Sequence, residues 1–391
     1  MLFRSIALKP DYAECHSSRG LALQDLRMPA DALAAFDRAI ALKSYFPEAH
    51  YNRGIALQEL GRPAEALAAH EKAIEQKPFF PEAFFNRGVV LEQLMRPDDA
   101  LASYGKAVAL KPDFPEALTS RGNILHEQRH LEEALACHDK AIALRPDFAE
   151  AHNNRGIVLM HMMRPIEALT SCDKAIALKP DFAEAYNNRG NILQDLARYD
   201  DALAAFDKAI EVRPGYAEAY SNKSHLLLLM GKFGEGWRLY EARKTLPNPV
   251  APSVYAQPLW LGEEDIAGKT VLLWWEQGFG DTIQFCRYVT QVEARGAKVL
   301  MLVQEPLRKL LRQLSPTITF VDPDTEPTGF DFHCPLMSLP LALSAPVGAM
   351  LEAIPSERGY IKADAPLRAA WEARLPPKMS SGKAKPRIGA V

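Results

Sequence analysis

Between Pro180 and Arg213 the apolar residues fall into two stripes. Tyr199, Ala202, Leu203, Phe206, Ala209 and Ile210 recur at i, i+3, i+4, i+7, i+10 and i+11, which is one face of an α-helix. Tyr186, Gly190, Leu193 and Leu196 form a second stripe just upstream. The stretch predicts two amphipathic helices, and neither can bury its stripe without stacked neighbours. A shift of 34 residues returns the pattern. Pro10, Pro78, Pro112, Pro146, Pro180 and Pro214 keep this ruler, with Ser44 as the exception, and so do Gly20, Gly54, Gly88, Gly122, Gly156 and Gly190. A fixed period of this length predicts an α-helical solenoid. Gly190 and Ala202 are expected where helix axes approach, and Pro214 is expected to open the next helix.

The array is predicted over residues 1–247: six full repeats at 10–213, a looser seventh at 214–247 and a partial helix at 1–9. Arg4, Ile6, Ala7, Leu8 and Lys9 match Arg38, Ile40, Ala41, Leu42 and Lys43, so the chain is expected to start inside a second helix. The seventh repeat has Ser224 for glycine and Gly236 for alanine, and carries Trp237 and Tyr240. It reads as a transition to something packed on it.

At Leu246 the period stops. Residues 248–269 are a proline-marked linker and lead-in segment. Residues 270–375 alternate strand and helix signals. Thr270–Trp275, Ala297–Val303 and Ile318–Val321 predict strands, with further strands at Phe330–Cys334 and Tyr360–Ile361. Helices are expected after Asp281, at Pro306–Leu314, near Met337–Leu343 and at Leu367–Leu375. That alternation predicts a parallel, Rossmann-like α/β sheet covered on both faces. Residues 376–391 read as a polar linker and the first strand of a second half, with no phosphate-binding turn or ribose-binding acid.

Composition narrows the function classes. The 46 basic and 49 acidic residues give a net charge of -3, which argues against a nucleic-acid binder that works through a general basic field. The five cysteines are scattered without a C-x-x-C pair, so neither a metal site nor a disulfide framework is expected. No signal core opens the chain and no apolar run is long enough to cross a bilayer, so a cytoplasmic protein is expected.

Two sets of residues carry candidate chemistry. Asn52, Asn86, Asn154, Asn188 and Asn222 share one repeat position, with a glutamate four residues before each and a basic residue one after. Each amide has donors and an acceptor, as an extended peptide backbone requires. The Glu and Arg rows are expected to form solvated or inter-repeat ion pairs. The second set is the turn after the first strand, where Gly278 and Gly280 let a ligand approach the backbone and the helix behind favours an anion. Asp281 has two readings: a site carboxylate, or the N-cap of a capping box with Gln284. His333 either orients a ligand, pairs with Asp331 or is a satisfied structural histidine. Trp274, Trp275 and Phe279 are expected to make core or domain contacts.

The spacing G-x11-A-x3-F-x2-A-x4-P, carried by Gly190, Ala202, Phe206, Ala209 and Pro214, resembles the tetratricopeptide repeat. In that family the first helix of each pair lines a groove, which implies a protein or extended-peptide partner. The asparagine row resembles the ladder of the protein O-linked N-acetylglucosamine transferases. The order strand, G-x-G-D-T-I-Q, helix, with the stretch Phe332 to Pro340, resembles heptosyltransferase-like glycosyltransferase domains over residues 255–391. That implies the N-terminal half of a GT-B fold. Gly280 and Asp281 match a Gly-Asp pair whose aspartate is the proposed general base. Without a donor half no cofactor is expected, and a nucleotide sugar is a partner only if that half exists. The expected function is a peptide- or protein-holding module fused to a partial glycosyltransferase domain; the alternative is a glycosyltransferase acting on a protein or glycan.

Overall fold

The computed structural model describes residues 11–246, 255–344 and 360–361. The chain divides into two compact units, Met1–Ala219 and Tyr220–Val391.

The first unit is built of helix pairs: α1 (Ala13–Asp25) with α2 (Pro29–Leu42), α3 (Pro47–Glu59) with α4 (Pro63–Gln76), α5 (Pro81–Gln93) with α6 (Pro97–Leu110), α7 (Pro115–Glu127) with α8 (Leu131–Leu144), α9 (Ala149–His161) with α10 (Pro165–Leu178), and α11 (Ala183–Asp195) with α12 (Tyr199–Val212). Prolines open many of these helices, where no N–H partner is lost, as at Pro47, Pro81 and Pro165. The prolines that mark the period do not. Pro78, Pro112, Pro146, Pro180 and Pro214 lie in the connecting turns, and Pro214 therefore does not open a helix as expected.

The repeated glycine is explained by the ring sixteen residues later. A Cβ on Gly190 would come within 2.4 Å of Phe206, and Gly20, Gly54, Gly88 and Gly122 meet Phe36, His70, Tyr104 and His138 in the same slot. Adding a methyl group there is overpacking, at a cost of about 1–3 kcal/mol. Each first helix ends in a Schellman turn, with bonds such as Arg164 N–H to the Leu159 carbonyl at 2.9 Å and Met163 N–H to that of Met160. The left-handed residue of that turn is Gly61 in one repeat, but Arg27, Met95, Arg129, Met163 and Ala197 in the others.

Ion pairs repeat with the same period. Glu48 meets Lys77 at 2.9 Å, Glu82 meets Lys111 at 3.3 Å and Glu150 meets Lys179 at 3.0 Å. The ammonium of Lys77 also lies 4.3 Å from the centre of the Phe80 ring, which opens the next repeat. In the other row, Arg53, Arg155 and Arg189 reach back to Asp37, Asp139 and Asp173 of the preceding repeat. The arginine row holds neighbouring repeats together, whereas the glutamate row joins the first helix of a repeat to the end of its own second helix.

A seventh pair, α13 (Ala217–Leu229) and α14 (Phe233–Tyr240), precedes the sheet. The four strands β1 (Thr270–Trp274), β2 (Lys298–Leu302), β3 (Thr319–Phe320) and β4 (Phe332–Pro335) are all parallel, in the order β3-β2-β1-β4. Helices α15 (Phe279–Phe285), α16 (Val289–Ala294), α17 (Glu305–Leu311) and α18 (Leu339–Ser344) complete the unit. Val271 and Leu273 face a core that takes in Trp237 and Tyr240 of α14, Phe285 and Leu339. Leu272 and Trp274 point the other way, against Phe330 and Tyr255. The single amphipathic helix expected after Asp281 is broken by a 3-10 turn at Cys286–Tyr288. Tyr360 and Ile361 form a bend instead of the expected strand, and Tyr360 donates its hydroxyl to the Ile283 carbonyl at 2.8 Å. The linker prolines at 247–252, the helix expected at 367–375 and the strand expected at 387–391 lie outside the described residues.

Candidate functional site

The asparagine row lies on the first helices, and first helices of neighbouring repeats touch each other directly. Asn52, Asn86, Asn154, Asn188 and Asn222 are all half-buried. Part of their hydrogen-bonding capacity is spent between repeats. Asn154 donates to Asn123 Oδ1 and Asn188 to Asn153 Oδ1, both at 2.9 Å, and Asn86 donates to Tyr51 Oη at 2.9 Å. A primary amide has two N–H donors and two lone pairs, so capacity remains. The sequence reading missed Asn123 and Asn153. The Asn153-Asn154 and Asn187-Asn188 doublets were the available signal.

In the second unit the glycine turn follows β1. The strand order reverses at β1, with β2 on one side and β4 on the other, so the turn sits at the C-terminal switch point where parallel sheets place ligands. Gln304 holds it in place: its amide donates to the Gln277 carbonyl, and its oxygen accepts from Thr282, both at 2.9 Å. A Cβ on Gly280 would meet nothing within 4 Å, and one on Gly278 only Asp281 Oδ2 at 3.8 Å. The packing of the turn therefore demands neither glycine, and the space above it is open.

Asp281 is not a helix cap. Gly278 is the N-cap of α15, which puts Asp281 at the third helical position with no side-chain cap bond. The capping-box reading with Gln284 fails because the helix starts three residues earlier than it requires, at Phe279 instead of Thr282. Asp281 instead lines a cavity of about 290 Å³, with Gln284 beside it and Trp237 and Tyr240 of α14 opposite. Burial raises the pKa of the Tyr240 phenol, and the charge of Asp281 adds to that rise.

His333 lies elsewhere. It is buried on β4, its Nδ1 accepts a hydrogen bond from Trp274 Nε1 at 3.2 Å, and Tyr255 packs edge-on against it. Burial lowers its pKa. Asp331 does not pair with it: its carboxylate accepts the Thr270 N–H at 2.8 Å. Trp274 is core, as expected, whereas Trp275 and Phe279 are exposed. A buried polar cluster was not foreseen. Arg243 donates to Glu276 at 2.6 Å, to Ser338 at 2.8 Å and to Glu241 at 2.8 Å. Among the described residues no group of three or more His, Cys, Asp or Glu is placed to hold a metal ion. Among the described residues no helix is long and apolar enough to cross a membrane.

Models of the tetratricopeptide repeat match residues 183–216, 122–162 and, in overlapping registers, 18–81, 51–115 and 85–137. The repeats are tetratricopeptide repeats. A tetratricopeptide repeat protein of Parabacteroides merdae is similar in structure, at TM-score 0.52 and 16% identity, over 60% of this chain and 93% of that one. A chain of the Cut9–Hcn1 hetero-tetramer of the APC/C is similar at TM-score 0.52 and 14% identity, over 58% and 45%. YrrB, described as a tetratricopeptide repeat protein with an unusual peptide-binding site, is 28% identical over 47% of this chain and 95% of its own, at TM-score 0.41. No curated protein matches the chain.

Proposed function

We propose that the repeat array is a protein-interaction module that holds an extended polypeptide along the face of its first helices. Tetratricopeptide repeats serve as such modules in general. The observation that carries the reading here is the half-buried asparagine row, in which the amides of Asn154 and Asn188 keep unused donors and acceptors after linking the repeats. The test uses a peptide selected on the wild-type chain from a displayed library. Asn154→Ala combined with Asn188→Ala is expected to weaken its binding about tenfold, the loss of one or two hydrogen bonds. Unchanged affinity in a calorimetric titration sinks the groove assignment.

A second reading concerns the α/β unit, as a glycosyltransferase-like half domain with Asp281 as base. It is favoured by the position of that carboxylate, at a switch-point turn, on a cavity and with no cap bond. Turnover that vanishes in Asp281→Asn would put sugar transfer ahead of polypeptide holding.

A further inference from the structure

The cavity beside Asp281 has an unusual lining. Tyr240 packs edge-to-face on Trp237, with centroids 5.5 Å apart and planes at 83°, and Trp237 does the same on Phe285 at 6.0 Å and 82°. Perpendicular rings make corners, and the ring faces carry negative charge density. The Asp281 carboxylate lies among them and has no hydrogen bond or ion pair among the described residues. The nearest guanidinium on the lining is already engaged: Arg287 donates to the Gln284 carbonyl at 2.9 Å and lies 4.6 Å from the Tyr360 ring centre. The other charges acting on the Tyr240 ring are Glu241, Glu276 and Arg243. Arg243 and Lys244 pair with Glu241 and Glu276, so Asp281 is the carboxylate of this group without an ion pair among the described residues, and His225, the remaining titratable group on the wall, is held toward its neutral form by burial.

We propose that this cavity is a binding site for an alkylammonium group. Aromatic walls with a lone carboxylate match a cation that carries apolar substituents, because the rings attract the charge while the methyl groups lose water. A volume of about 290 Å³ is small for a nucleotide and ample for a trimethylammonium head. Free quaternary amines and the side chain of a methylated lysine share that chemistry. The assignment is independent of the polypeptide-holding role of the repeats.

The test is calorimetric titration of the full chain with choline and with its uncharged isostere 3,3-dimethylbutan-1-ol, at constant ionic strength. Choline is expected to bind, with the isostere at least tenfold weaker. Asp281→Asn, which preserves shape, is expected to weaken choline about tenfold with an unchanged circular dichroism spectrum. N-acetyl-trimethyllysine amide distinguishes the source. Tighter binding than choline assigns the site to a polypeptide side chain, and weaker binding assigns it to a free amine. Equal binding of choline and the isostere, an unchanged affinity in Asp281→Asn, or no binding of any cation overturns the proposal.

Discussion

The two units use charge in opposite ways. In the repeat array the ion pairs are periodic and wet: Glu150 and Lys179 keep 46% and 43% of their side-chain surface. In the second unit one cluster is dry: Arg243 and Glu276 keep 6% and 7%. Exposed pairs contribute little and are redundant across repeats. A buried pair contributes little net stability either, because desolvation offsets the attraction, but each partner depends on the other. The array should therefore tolerate loss of a charge, and the α/β unit should not.

Arg243→Ala tests this most strongly. It leaves Glu276 buried without its cation, and the expected cost is about 3–5 kcal/mol. The matching change in the array, Lys179→Ala, is expected to cost below about 1 kcal/mol. All five tryptophans lie in the second unit, so fluorescence reports that unit during urea unfolding, while circular dichroism is dominated by the helical array. Equal losses in the two variants would break the comparison. Arg243→Met with Glu276→Leu sharpens it, since removing both charges should cost less than removing one.

The same contrast explains what the sequence reveals. The array was legible because each contact recurs: one glycine–ring slot, seen at Gly20 with Phe36, is seen again at Gly190 with Phe206. The parallel strands were legible from their apolar runs. The Arg243 cluster was not, because it joins residues 33 and 95 positions apart and occurs once. Asp281 was legible only as either a cap or a site carboxylate, because its own chemistry suits a helix N-cap and nothing in the sequence marked Gly278 as the residue that caps α15. The left-handed turns were hidden because residues such as Met95 occupy a place that chemistry would assign to glycine.

A smaller effect is expected from the ring slot itself. Phe36 and Phe206 fill it in two repeats, but His70 and His138 fill it in two others, fully buried. Both ring nitrogens of His138 lack a partner. Burial pushes His70 and His138 from their ordinary 6.5 down to about 4. In the pH range between those values the unfolded chain binds protons that the folded chain does not. Stability is therefore full above about pH 6.5 and falls as pH drops toward 4. His138→Phe should raise stability by about 1–3 kcal/mol at pH 5 and by less at pH 8. A gain that does not depend on pH would show that ring packing, not protonation, sets the difference.

The smallest effect concerns the turns. Met163 sits at φ 58° in its Schellman turn with 86% of its surface exposed, while Gly61 takes the equivalent place three periods earlier, and Gly231 does so in the second unit. A side chain in that conformation costs about 1 kcal/mol, and glycine's extra freedom in the unfolded chain returns part of it. Met163→Gly is therefore expected to stabilise the array by about 0.5 kcal/mol, and Gly231→Ala to destabilise the second unit by about 1 kcal/mol. Thermal unfolding followed by circular dichroism and by fluorescence separates the two. If Met163→Gly lowers stability, the exposed thioether makes a contact that the turn geometry alone does not account for. A repeat whose turn is strained in order to present such a side chain is then the place to look for a bound partner.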